Sequence, residues 1–219
     1  MTLPIQPPKA LIFDMDGVLI DSEPLHKRAK ERAFGEAGIV LSDAVYDSYK
    51  GRPDATMLPE ILRPRGWSEE KIEQFSQRKR QFYEEIKHEL RPIPGSVDFV
   101  TWAANRYKLA LATSSTRRNR EATFKILEIG DHFGVVVDAS GHTRPKPDPE
   151  VFLVAMQLLG VEAGDCWIIE DSVNGVQAAK AAGPVTAGIT TTFDRKTLRA
   201  AGADLVFDSF DELKSLLTS

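Results

Sequence analysis

The chain has 219 residues, of which 42% are hydrophobic and 27% charged, with a formal net charge of −4. This is ordinary composition for a folded protein, with enough length for one large domain or two modest ones. The acidic balance argues against a nucleic-acid partner, and no apolar stretch is long enough to cross a bilayer. The single cysteine, Cys166, excludes an intrachain disulfide and fits a reducing, cytoplasmic setting.

At the N-terminus, Met1 to Lys9 holds Pro4, Pro7 and Pro8 and no apolar core, so it reads as a loose tail and not as a signal peptide. The run Ala10-Leu11-Ile12-Phe13 then reads as a buried strand that stops at an acid, Asp14. An ionised carboxylate at the end of a buried strand is costly without a partner, and a cation is the simplest compensation. Asp16 follows one residue on, so two acids can share one small space, and Gly17 lets the backbone turn sharply beside them.

From about Glu23 to Leu90 no good strand is found. His26 to Ala37 and Ser68 to Leu90 carry helical periodicity and heavy charge, and Ser68-Glu69-Glu70 reads as a helix start. Pro92, Pro94 and Gly95 punctuate the chain before strands resume. Short apolar runs then alternate with helix-like segments. The runs are Leu109–Ala112, Val135–Val137, Trp167–Ile169, Val185–Ile189 and Leu205–Phe207; the helices include Glu121–Ile129, Pro149–Leu159 and Val173–Ala182. Brief apolar runs of this kind suit parallel strands covered on both faces. The expected architecture is α/β: a Rossmann-like open parallel sheet formed by residues 1–22 and 95–219, with an inserted α-helical domain over 23–94.

Ligands of open α/β sheets bind beyond the carboxyl ends of the strands. Collected there are Asp14 and Asp16, then Thr113-Ser114-Ser115, Lys146 between Pro145 and Pro147, and Glu170-Asp171-Ser172. Carboxylate oxygens with room for water and phosphate describe a magnesium site. A carboxylate beside such a metal can attack phosphorus, and hydroxyls and a lysine can hold the phosphoryl oxygens. Asp16 is placed to protonate a leaving oxygen and then to activate water.

Four segments resemble, in order, the signature motifs of the haloacid dehalogenase-like superfamily of phosphatases and phosphomutases. They are Asp14-Met15-Asp16-Gly17-Val18-Leu19-Ile20-Asp21-Ser22, Leu109 to Ser115, Lys146-Pro147-Asp148-Pro149-Glu150-Val151-Phe152 and Glu170-Asp171-Ser172-Val173-Asn174-Gly175. The resemblance implies Asp14 as nucleophile, Asp16 as acid and base, Thr113 with Ser114 as phosphate binders, and Lys146 as the charge anchor. It implies Mg²⁺ held by Asp14, the backbone carbonyl of Asp16 and Asp171, with Glu170 close by. The helical insertion is similar to the cap of the β-phosphoglucomutase-like branch, which excludes water during the reaction. In that branch, cap residues read the part of the substrate that is not transferred; His26, Lys50 and Lys79 match such positions, with Arg52 nearby. The mutases carry an arginine three residues after the glycine matching Gly51, where this chain has Asp54, a departure that favours a phosphatase.

The expected function is therefore Mg²⁺-dependent hydrolysis of a small phosphorylated metabolite, a sugar phosphate, by a monomer. A β-phosphoglucomutase-type isomerase is the alternative. A receiver-type phospho-acceptor domain also sets acids, a hydroxyl and a lysine at strand ends, but the large insertion and Asp16-Gly17 argue against it. Blander readings stand beside these. His26, Lys50, Arg52 and Lys79 can be a solvated charged face, Thr113 and Ser114 can cap the next helix, and Arg117 to Arg120 reads as plain surface. Trp67, Trp102 and Trp167 read as packing residues, and Cys166 as a buried structural thiol.

Overall fold

The computed structural model describes residues 7–218; the tail expected over Met1 to Lys9 lies largely outside them. The chain divides into two compact units. One joins the residues up to Asp21 with those from Arg91 onward, and the other is Ser22–Leu90.

The α/β unit opens with β1 (Ala10–Phe13), every residue of which is buried, and a short β2 (Ile20–Asp21). The helical unit then contributes α1 (Glu23–Glu36), α2 (Asp43–Ser48), α3 (Asp54–Leu62) and α4 (Glu69–Ile86). The α/β unit resumes with β3 (Arg91–Pro92), α5 (Ser96–Ala104), β4 (Lys108–Ala112), α6 (Arg117–Leu127) and β5 (Val135–Val137). It finishes with α7 (Glu150–Leu159), β6 (Cys166–Glu170), α8 (Val173–Ala182), β7 (Val185–Ile189), α9 (Arg195–Ala201), β8 (Leu205–Phe207) and α10 (Phe210–Thr218).

The main sheet has six strands in the order β5-β4-β1-β6-β7-β8, all parallel. This is the doubly wound arrangement anticipated from the alternating runs. Its order reverses at β1, and the crevice beyond the carboxyl ends of β1, β4 and β6 is where such sheets bind ligands. In register, Phe13 stands between Leu111 of β4 and Ile169 of β6, so Asp14, Ala112 and Glu170 follow at one level. On one face Ala10, Ile12, Ala110, Ala112 and Ile168 pack against Val151, Phe152 and Ala155 of α7 and Ala178 and Ala179 of α8. Burying each large aliphatic or aromatic side chain contributes about 1.5–3 kcal/mol, which holds the strand ends rigid where the chemistry is placed. Cys166 is buried in this cluster, where burial pushes its thiol up to about 11; it is a packing residue.

In the helical unit, α1 and α4 pack through Phe34 and Phe75, whose ring centroids are 4.6 Å apart. Ser68 caps α4 by accepting from the Lys71 amide at 3.3 Å, as Ser68-Glu69-Glu70 leads one to expect. Trp67 packs edge-on against Phe75.

The boundaries shift by a few residues. Residues 91–94, which the prolines and Gly95 assign to the insertion, fall with the α/β unit, and Ser22 falls with the helical one. The cause is a small ladder: Arg91 and Pro92 pair antiparallel with Asp21 and Ile20, and the Ile93 amide donates to Leu19 O at 3.0 Å. Proline is tolerated there because this two-stranded ribbon is all edge. A second correction concerns Arg120, read as surface. Its guanidinium turns inward to Asp138 at 3.2 Å, an acid at the end of β5 that burial alone would raise. Bonds from Ser140 and Arg120 hold that carboxyl below its usual range instead.

Candidate active site

The residues after β1 are shaped by a tight turn. The amides of Val18, Leu19 and Ile20 all donate to Met15 O, and Gly17 N donates to Ile20 O at 2.8 Å. Gly17 adopts φ +74, the left-handed region that favours glycine. It is required for space as well, since a Cβ there would stand 1.9 Å from Asp171 Oδ2. Glycine thus brings the chain after β1 against the chain after β6.

Lys146 is the centre of the acid cluster. Its Nζ donates to Asp14 Oδ1 at 2.6 Å and to Glu170 Oε1 at 2.7 Å, with Ala112 O at 3.4 Å. The loop that carries it is stapled by Glu150 at the start of α7, which accepts from the amides of Thr143 and Arg144. The Arg144 amide does most to hold the Glu150 carboxyl down, at about 2. Glu170 spends its other oxygen on the amides of Asp171 and Ser172, at 2.8 and 2.9 Å, and on the Ser172 hydroxyl. Gly175 makes room for this: a Cβ there would stand 1.8 Å from Glu170 Oε1. Glu170 is therefore satisfied at the N-terminus of α8, where a negative charge is favoured. It orients Lys146, and its oxygens are less free for a cation than those of Asp14 and Asp171.

Asp14, Glu170 and Asp171 each place a carboxylate oxygen within 4.8 Å of the others, and all three are buried. Three acids against one lysine leave the pocket short of positive charge. Burial pushes Asp14 up to about 7 despite the opposing pull of Lys146, and Glu170 and Asp16 push the same way. Burial, then Glu170 and Asp14, push Asp171 well above the usual carboxylate range. Buried oxygen ligands lacking a compensating charge are the donor set a hard divalent cation takes, so the residues fit Mg²⁺.

The other predicted residues of the α/β unit follow β1 and β4. Asp16 accepts from the Ser115 hydroxyl at 2.6 Å. Thr113 is buried at the end of β4; its amide donates to Val137 O and its hydroxyl oxygen accepts from the Ser115 amide at 3.1 Å. Ser114 beside it is exposed. Neither caps α6, which Thr116 caps by accepting from the Asn119 amide. Sequence reasoning did not single out a role for Ser115, nor for Thr191 and Thr192. The hydroxyl of Thr191 donates to Gly17 O at 2.5 Å, and that of Thr192 stands beside the Asp171 carboxylate, against Gly17. The available signal was the run Thr190-Thr191-Thr192 directly after a strand.

The helical unit has its own buried polar cluster. Lys79 of α4, 4% exposed, donates to Asp54 Oδ2 at 2.7 Å and to His26 Nδ1 at 3.0 Å, while Lys30 of α1 lies 3.7 Å from Asp54 Oδ1. His26 stacks on Tyr83, with ring centroids 4.2 Å apart. Burial, then the charge of Lys79, pushes the imidazole down to about 3, so it is neutral and accepts at Nδ1. His26 and Lys79 are thus not a solvated face. Lys50 is half-buried between α2 and α3 and acts on Glu23, whose carboxyl burial raises. Arg52 is occupied elsewhere: it bonds Glu60 at 2.5 Å and lies over the Tyr49 ring.

A lysine-bridged acid cluster at the carboxyl edge of this sheet, in a chain interrupted by a helical unit after its first strands, defines a class of α/β enzymes. A family model described as "Hydrolase: haloacid dehalogenase-like hydrolase" matches residues 8–183. The chain is 33% identical over 201 residues to the phosphorylated carbohydrates phosphatase of Thermotoga maritima, covering 89% of this chain and 92% of that one. It is 31% identical over 189 residues to the β-phosphoglucomutase of Bacillus subtilis, covering 83% of each. The crystal structure of a hydrolase from Pseudomonas syringae superposes with a TM-score of 0.83 at 26% identity, covering 96% of this chain and 98% of that one. The chain also aligns over 214 residues, 93% of its length, at 31% identity with Protein SUPPRESSOR OF QUENCHING 1, chloroplastic, of Arabidopsis thaliana, but spans only 20% of that longer protein. The chain belongs to the haloacid dehalogenase-like hydrolase family, in the branch that holds β-phosphoglucomutase and sugar-phosphate phosphatases. It is an enzyme of that hydrolase family. Among the described residues, no helix is long and apolar enough to cross a membrane.

Proposed function

We propose that the protein is a Mg²⁺-dependent phosphatase that hydrolyses a small phosphorylated metabolite, a sugar phosphate, through an aspartyl-phosphate on Asp14. The observation that carries this reading is the division of labour between the two acids after β1. Asp14 is bridged to Glu170 by Lys146, whereas Asp16 accepts from the Ser115 hydroxyl.

In this reading an Asp14 oxygen attacks the phosphorus and the ester P–O bond breaks. Asp16 gives its proton to the departing alkoxide oxygen. Asp16 then takes a proton from water as that water attacks the phosphorus, releasing inorganic phosphate and restoring Asp14. Lys146, Thr113 and Ser114 hold the phosphoryl oxygens, and the lysine charge offsets the negative charge that builds there. Asp14, the Asp16 carbonyl and Asp171 would hold the Mg²⁺, which supplies further charge neutralisation at the phosphoryl group.

His26, Lys50 and Lys79 of the helical unit are assigned to reading the substrate's non-transferred part, and Arg52, bound to Glu60, is the weakest member of that set. Asp54 favours hydrolysis over isomerisation. Where the mutases have an arginine to grip a second phosphate, this chain has a carboxylate that neutralises Lys79 and sits near Lys30. The mutase reading keeps one support, the 31% identity to a β-phosphoglucomutase. Incubating the protein with a panel of sugar phosphates and Mg²⁺ separates the two. Free phosphate from the wild type and none from Asp14→Asn supports the phosphatase; an isomeric sugar phosphate without net phosphate release supports the mutase.

A further inference from the structure

The loop after β7, Thr190 to Phe193, is held at both ends. Thr190 donates its hydroxyl to Asp208 Oδ1 at 2.7 Å and its amide to Phe207 O at 3.1 Å. Phe193 packs against Val176, Leu198, Ala203 and Val206, and Asp194 caps α9 by accepting from the Thr197 amide at 2.7 Å. The two threonines between these anchors reach the acid cluster. Thr191 donates to Gly17 O, and the Thr192 hydroxyl stands beside the carboxylate of Asp171. A Cβ on Gly17 would meet Asp171 Oδ2 at 1.9 Å and Thr192 Oγ1 at 2.9 Å, so both oxygens lie over the bare face of that glycine.

Asp171 ends no strand of its own; it follows β6, and its carboxylate is free to rotate unless something outside β6 holds it. Groups that bond a metal-ligating carboxylate from behind fix its direction, and removing one typically costs 10–100-fold in metal affinity. We propose that Thr192 is a positioning residue for Asp171: its hydroxyl, delivered from the β7 loop, holds the carboxylate in the direction from which it takes a divalent cation, while Thr191 holds the Gly17 peptide beside it. The inference rests on the reading of Asp14, the Asp16 carbonyl and Asp171 as the cation's ligands.

The test is direct Mg²⁺ binding to the full chain by calorimetry, for the wild type, Thr192→Val and Thr192→Ser, alongside phosphate release as a function of Mg²⁺. Thr192→Val keeps the shape and loses the hydroxyl. It is expected to raise the Mg²⁺ dissociation constant on the order of 10-fold or more and to shift half-activation to higher Mg²⁺. The KM for the phosphate ester at saturating Mg²⁺ should stay unchanged, and Thr192→Ser should restore wild-type affinity. Thr192→Ala replaces the valine variant if that one does not fold. Wild-type affinity in the hydroxyl-free variant, or affinity as weak in the serine variant, overturns the proposal. A wild type that binds no Mg²⁺ overturns the cation reading itself and this inference with it, an outcome told apart from the first two by the wild-type titration alone.

Discussion

Each unit buries a charged cluster around a lysine, yet the two are balanced differently. In the α/β unit Lys146 faces Asp14 and Glu170, with Asp171 within 4.8 Å of both acids, so negative charge is in excess. In the helical unit Lys79 and Lys30 share Asp54, and the histidine between the helices is neutral. The first cluster sits on strand ends fixed by a packed core, and its acids outnumber its one lysine; in the second, two lysines share one carboxylate. A sheet edge with an acid excess is suited to a metal and a phosphoryl group. In the helical unit Asp54 occupies Lys79, which leaves that lysine less open to a second phosphate.

The largest effect that would break this contrast comes from Lys146→Met. It leaves Asp14 and Glu170 buried without their shared partner, and unfolding in urea should show a loss of about 3–5 kcal/mol in the absence of divalent cation. The same substitution at Lys79 should cost less, about 1–3 kcal/mol, because Asp54 is partly exposed and keeps Lys30 nearby. Equal losses at the two sites would show that the clusters do not differ in this way.

The second effect is the response to Mg²⁺. Burial raises the Asp14 carboxyl to about 7, so from its ordinary value of 3.8 up to that point the folded protein keeps a proton that the unfolded chain has released. Stability of the metal-free protein therefore falls as pH rises through this window. A cation favours the ionised form, so Mg²⁺ should raise the melting temperature clearly at pH 8 and little at pH 5. A uniform shift at both would contradict the acid-excess account.

How much of this was open to sequence reasoning differs between the two units. The parallel sheet was legible because its strands are short apolar runs ending in acids or hydroxyls. The convergence was expected because Asp14 and Glu170-Asp171 follow the carboxyl ends of apolar runs and Lys146 lies in the segment that leads on from Val137. Ser115, Thr191 and Thr192 were not legible, because a hydroxyl's partner depends on which loop folds over which. Arg120 looked like surface because it lies in the charged run Arg117-Arg118-Asn119-Arg120 of an acidic chain, and only the placement of Asp138 at the end of β5 draws it in. In the helical unit, periodicity found α1 and α4 but could not show that His26 and Lys79 face each other across them.

The smallest effect concerns that pair. The His26 imidazole is held down to about 3 from an ordinary 6.5. Above 6.5 it is neutral folded or unfolded. As pH falls from 6.5 towards 3, the unfolded chain takes up a proton that the folded one refuses, and stability is lost. His26→Gln should therefore flatten the melting-temperature profile in that window relative to the wild type; parallel profiles would show that the histidine is not held neutral.

The chemistry itself is tested most directly by quenching the enzyme during turnover of a sugar phosphate with Mg²⁺, reducing it with borohydride and mapping the peptides by mass spectrometry. An acyl-phosphate on Asp14 is expected to appear as homoserine at position 14, and to vanish in Asp14→Asn. Steady phosphate release with no modification at position 14, or with the mark on another carboxylate, would contradict the account.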